Sequence, residues 1–279
     1  MPVETSGIDH VHLNVADIAL AIERFTALLE CEHNIPLYID SIQALNSMNT
    51  LGLDVFEPKE SEGIAARQMA RFGGPGLTTV SLHVEDLDSA TAHIESCGVP
   101  ILSQIGFPGV ERQTQFRPRD CHGMVLELVQ YVPGHEAVVA EIKARQAAEH
   151  DGRTGIPAQP GALSTGGIDH VHLRVADLDE TRRWFSRLFV CDWDEVKTAP
   201  GAPRASKSSI GVHLVDAAGA DEGLGSLAFS VDDLAAAEAL GSRLGLRTLP
   251  APDHAQGDRC LRFDPADVCA LPLELVPRH

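Results

Sequence analysis

His10 and His12 stand two residues apart in the phrase GIDHVHLNVADI at residues 7–18, and His170 and His172 do the same in GIDHVHLRVADL at 167–178. Ten of these twelve positions match. On an alternating strand, residues i and i+2 point to one face about 7 Å apart, so each phrase sets two imidazoles side by side. Imidazole can ligate a metal or carry a proton near neutral pH. A lone strand histidine is ordinarily a packed or surface residue, and duplication gives these more weight. A fainter form of the template recurs as GLTTVSLHVEDL at 76–87 and GLGSLAFSVDDL at 223–234. Aligned on their first glycines, the four copies fill one slot with His10, Thr79, His170 and Ser226. Internal repetition of this kind is the first fact about the architecture.

The elements that must carry this slot follow from the pattern. Each copy opens with an alternating strand, such as His10–Val15, and continues into an amphipathic helix. Asp17, Asp86, Asp177 and Asp233 are the expected N-caps, with helices over Ile18–Glu30 and Leu178–Phe189 for the two strongest copies. Strand-like runs then close each unit, the last being Leu51–Phe56, Met124–Tyr131, Ile210–Val215 and Pro272–Val276. The unit is strand, helix and about three strands in about 55 residues. Residues 135–150 read as a charged surface helix and 151–166 as a Gly/Pro/Ser linker. The expected fold class is α+β, with four βαβββ units paired into two domains, 1–134 and 167–279, joined by 135–166.

Bulk properties exclude several classes. A net charge of −18 repels nucleic acid and anionic membrane. No apolar run approaches the roughly 20 residues of a membrane span. MPVETSG lacks the basic and apolar parts of a signal peptide, so a cytoplasmic location is expected. The six cysteines (31, 97, 121, 191, 260, 269) form no CxxC pair, which signals neither a zinc knuckle nor a disulfide framework. Nucleotide-binding, serine-hydrolase and phosphate-loop signatures are missing.

Four βαβββ units, two per domain, resemble the vicinal oxygen chelate superfamily of glyoxalases, methylmalonyl-CoA epimerases, extradiol dioxygenases and fosfomycin or bleomycin resistance proteins. The resemblance covers nearly all of the chain outside the linker. The first domain is most similar to the epimerase branch, through IDHVHLNV at 8–15, LDVFEP at 53–58, GPGL at 74–77 and FRPRDCHGMVLELV at 116–129. The second keeps IDHVHLRV and LELV at 273–276. This resemblance implies one divalent metal per cup, held by residues of the first and last strand of each unit. Carried onto this chain, the slots are His10, Asp54, Thr79 and Glu127 in the first domain, and His170, His213, Ser226 and Glu274 in the second. If units exchange, as in some glyoxalases, the cups become His10, Asp54, Ser226 and Glu274, and His170, His213, Thr79 and Glu127.

Thr79 and Ser226 depart from the family, which places a ligand there. Three strong donors remain per domain: His10, Asp54 and Glu127, a harder set, and His170, His213 and Glu274, of the kind that holds zinc or non-haem Fe(II). Glu127 and Glu274, lodged between leucines, would carry a large desolvation cost that an ion offsets. His12 and His172 are expected as hydrogen-bonders behind the ligands or as catalytic proton carriers. His83, His122 and His254 read as lining or surface residues.

The family then implies a metal-dependent enzyme, with Fe, Zn, Mn, Co or Ni as cofactor and a small oxygenated molecule as substrate. Epimerase, isomerase or glyoxalase-like lyase chemistry through an enolate-type intermediate is the leading reading. A ring-cleaving Fe(II) dioxygenase is the alternative, weakened because the second domain contains no tyrosine. A non-catalytic, resistance-type binding protein is the third. A homodimer is compatible with all three. One tight metal is expected, at His170 and His213.

Overall fold

The computed structural model describes the whole chain except residues 197, 199–201, 218, 251–259 and 279. The first repeat runs β1 (Ile8–Asn14), α1 (Ile18–Leu28), β2 (Leu37–Ile39), β3 (Ala44–Met48) and β4 (Leu53–Pro58). A short α2 (Ile64–Arg71) leads into the second: β5 (Gly76–His83), α3 (Leu87–Ser96), β6 (Ile101–Ile105), β7 (Glu111–Phe116) and β8 (Val125–Tyr131). After α4 (His135–Glu149) comes the third: β9 (Thr165–Val175), α5 (Leu178–Leu188), β10 (Trp193–Val196), β11 (Ala205–Ser208) and β12 (Val212–Asp216). The fourth is β13 (Gly223–Val231), α6 (Leu234–Arg243), β14 (Thr248–Leu249), β15 (Leu261–Phe263) and β16 (Leu273–Pro277). The chain is α+β, and its described residues form two eight-stranded sheets ordered β2-β3-β4-β1-β5-β8-β7-β6 and β10-β11-β12-β9-β13-β16-β15-β14.

Each repeat uses the same local devices. The carboxylates of Asp17, Asp86 and Asp177 accept from the backbone N–H of Leu20, Ser89 and Glu180 at 2.8–3.0 Å, and Asp233 accepts from Ala235 and Ala236. Each satisfies a donor that the first helical turn leaves open. In every repeat the first and last strands lie parallel: β1 with β4, β5 with β8, β9 with β12, β13 with β16. Parallel neighbours need a crossover, which the helix and the two middle strands supply.

Burial on both faces distinguishes the first strands. In β1, Val11 and Leu13 are fully buried on one face, while His10, His12 and Asn14 on the other are buried too. In β9, Val171, Leu173 and Val175 oppose buried His170 and His172. In β5 the second face offers Thr79 and Ser81, and in β13 Ser226, Ala228 and Ser230. A strand that buries polar side chains must give them partners, because an unsatisfied buried polar group costs about 1–3 kcal/mol.

The repeats gather into two compact units. One consists of Met1–Asp9, Thr79–Arg145 and His170–Gly225, and thus holds the second and third repeats. The other consists of His10–Thr78, Gln146–Asp169 and Ser226–His279, the first and fourth repeats. Within the former, Val3 N–H donates to Leu188 O (2.8 Å) and Val190 N–H to Val3 O (2.9 Å). Within the latter, Leu163 N–H donates to Leu28 O (3.0 Å) and Glu30 N–H to Leu163 O (2.7 Å). Residues 3 and 163, and 28 and 188, are equivalents in the repeat, so the same docking is made once in each unit. The Gly/Pro/Ser segment before β9 is therefore pinned backbone, held also by the Ile156–His33 bridge.

Candidate metal centres

In the unit built from the first and fourth repeats, β1 and β4 are in register with His12 opposite Asp54. His10 precedes His12 by two residues and shares its face. The result is a cluster of His10, His12 and Asp54, all buried, whose ligand atoms lie within 4.8 Å of one another. His10 Nε2 and His12 Nε2 are 3.1 Å apart, with rings nearly parallel. Phe56 packs against the His12 ring at a centroid distance of 5.0 Å. Asn46 on β3 donates from Nδ2 to Asp54 Oδ1 and fixes the carboxylate.

The unit of the second and third repeats holds the counterpart. His213 on β12 lies opposite His172 on β9, and His170, His172 and His213 form the second cluster of ligand atoms within 4.8 Å. The rings of His170 and His213 stack at 4.0 Å, and His172 meets His170 edge-on at 4.6 Å. His170 and His172 are buried and His213 half-buried.

These sets fit a divalent ion by their donor chemistry. Three imidazoles are the protein ligands of a familiar type of catalytic zinc site, and two imidazoles with one carboxylate those of non-haem Fe(II) sites. Two nitrogens bound at 2.0–2.1 Å to one ion stand about 3 Å apart at an octahedral angle, close to the His10–His12 separation.

Neither glutamate joins a cluster among the described residues. Glu127 is fully buried on the same face as Thr79 and Ser81, and Ser81 lies opposite it. Its Oε2 accepts from Gln115 Nε2 at 2.7 Å, directly across β7–β8. Glu274 lies opposite Ala228, and Arg262 Nε across β15–β16 is 3.3 Å from its Oε1. Gln115 and Arg262 are equivalents in the repeat. The first is a neutral amide and the second a guanidinium cation.

His83 and His122 sit elsewhere. His83 Nδ1 meets Ser6 Oγ at 2.9 Å, and its ring stacks on Tyr131. His122, at a positive φ of 51°, pairs with Glu222 at 3.2 Å and touches Trp184 edge-on. His254 lies outside the described residues. Burial pushes the thiols of Cys31 and Cys121 up to about 12, which makes them poor nucleophiles.

No family model matches the sequence, and no curated protein matches it. Solved structures do. A halotolerant catechol dioxygenase, BphC, superposes with a TM-score of 0.63 at 12% identity, over 99% of this chain and 87% of its own. The Mn(II)-bound glyoxalase of Novosphingobium aromaticivorans gives 0.62 at 11% identity, over 99% and 83%. Methylmalonyl-CoA epimerase of Mycobacterium tuberculosis aligns with 48% of this chain and 93% of its own, at 24% identity and a TM-score of 0.43. The chain has the vicinal oxygen chelate fold. No helix among the described residues is long and apolar enough to cross a membrane.

Proposed function

We propose that this protein is a metal-dependent enzyme of the vicinal oxygen chelate type, acting on a small oxygenated substrate as an epimerase, isomerase or glyoxalase-like lyase. One observation carries the reading: at equivalent places in two repeats, three ligating side chains converge within 4.8 Å. Their slots are His170 and His213 in one compact unit and His10 and Asp54 in the other. Glu127 on β8 and Glu274 on β16 lie on last strands in those same units, respectively.

A divalent ion bound there supplies Lewis acidity, which polarises a substrate carbonyl and makes the adjacent proton easier to remove. The chain does the rest. Paired parallel strands hold the ligating side chains in fixed register. Apolar neighbours such as Phe56 keep water from the imidazoles. Glu127 is positioned by the neutral amide of Gln115, and it is the carboxylate we assign to accept the substrate proton. Glu274 is instead paired with the Arg262 guanidinium. Such a protein would work in the cytoplasm with its cysteines reduced; none of the six forms a disulfide.

The test is a substrate screen of metal-loaded protein in D2O, followed by NMR. Acyl thioesters and 2-oxoaldehyde–thiol adducts should exchange or rearrange at the carbon beside the carbonyl, and Glu127→Gln should stop it. Oxygen uptake with catechols, and no exchange, would instead establish the dioxygenase reading. Binding without turnover in either screen would leave a small-molecule binding protein.

A further inference from the structure

We infer that the third metal donor in each site is the second histidine of the His-x-His pair, so that a single βαβββ unit holds a complete set. We infer also that the two sets select different ions. This rests on the metal-dependent reading above and deepens it. His12 and His172 then act as ligands and not as proton carriers.

Three observations support it. First, His12 and His172 are the residues directly opposite Asp54 and His213 in the parallel registers, the pairs that bring β1 to β4 and β9 to β12. Second, their ring nitrogens belong to the clusters while the glutamates do not. Third, each glutamate already has a cross-strand partner, Gln115 or Arg262. A set drawn from two adjacent strands of one sheet is rigid, which favours defined coordination. Three donors also leave positions for water or for two substrate oxygens.

The sets differ by one charge. His170, His172 and His213 are neutral donors, which suit Zn(II), Co(II) or Ni(II) over harder ions. In the other set Asp54 replaces the third imidazole with an anionic oxygen, made rigid by Asn46. An oxygen anion raises the relative affinity for Mn(II) and Fe(II). Zn(II) still binds both, because first-row affinities rise toward the end of the series. The predicted difference is therefore in the ratio of Zn to Mn binding.

The intact protein, stripped with chelator, is titrated with Zn(II) against a chromophoric competitor, and with Mn(II) by the EPR signal of the free ion. The wild type should bind about two Zn ions but about one Mn ion tightly per chain. His172→Gln and His12→Gln should each lose one Zn ion, and Glu127→Gln none. Mn binding should survive His172→Gln and drop by roughly 100-fold or more in Asp54→His. His213→Asp, which copies the Asp54 arrangement, should raise tight Mn binding to about two; misfolding cannot produce that gain. If Glu127→Gln loses Zn and His172→Gln keeps it, the glutamate is the third donor and the inference fails, although the protein still binds metal. If His213→Asp gains no Mn, the hardness argument fails. Wild type that binds neither ion overturns the inference and the functional reading together.

Discussion

His213 lies directly opposite His172 on the neighbouring parallel strands β12 and β9, as Asp54 lies opposite His12 on β4 and β1. Parallel register turns side chains of paired residues to one face, so a donor on the last strand meets the second histidine of the first. This one relationship, made twice, assembles both clusters.

Loss of a clustered imidazole should be distinguishable from loss of an ordinary one. His213→Ala should weaken metal binding by roughly 100-fold or more. His122→Ala should leave it unchanged, because His122 is engaged by Glu222 and Trp184. Metal content after gel filtration reads the difference. Equal retention in both variants would remove His213 from the site.

His33 gives a pH prediction. It is buried against Phe25, with Nδ1 on Ser47 Oγ at 3.2 Å, and burial lowers its pKa from 6.5 to about 4. The folded state thus disfavours the proton relative to the unfolded chain. Its contribution to stability is complete above pH 6.5 and is lost as pH falls toward 4, amounting to about 3 kcal/mol. Urea unfolding at pH 7 and pH 4 measures the drop, and His33→Gln should shrink it by that amount. An undiminished drop in the variant would show that other groups carry the acid sensitivity.

Equivalent core positions should cost alike. Phe25 on α1 and Phe185 on α5 are both fully buried and occupy the same place in the repeat. Each Phe→Ala substitution should destabilise its unit by about 3–5 kcal/mol, seen as a lower urea midpoint. A cost confined to one of them would mean that the units are packed differently.

The four aspartate caps allow a gentler check. Asp17, Asp86, Asp177 and Asp233 each cap a helix through the same contact, so single Asp→Ala variants should each lose about 1 kcal/mol. Because these caps are far apart in sequence and share no partner, a double variant in two helices should lose the sum. Thermal melts will read it.

Much of this was visible in the residues. Alternation placed the four first strands, and the aspartates placed the helix starts to the residue. Helix α2 was not visible: only Ala65 in Ile64–Arg71 is buried, and Gly63 offers no side-chain cap, so it carries neither usual signal. The segment before β9 reads as linker by composition, yet Ile156 and Leu163 dock by backbone bridges that composition does not encode. At the site, the family resemblance put Asp54 and His213 in last-strand slots. It could not give the register, and a one-residue slip would send each side chain to the other face. For that reason the meeting of His172 with His213, and the engagement of Glu274 by Arg262, had to come from the structure.

On the proposed reading, the two histidine clusters hold metal. Elemental analysis of freshly purified protein, set beside a His10→Ala/His170→Ala double variant that remains folded by circular dichroism, tests it most directly. A divalent transition metal at about one equivalent or more per chain in the wild type, and none above background in the double variant, is the predicted result. A metal-free wild type that takes up no ion on reconstitution, or a double variant with its metal content unchanged, would contradict it.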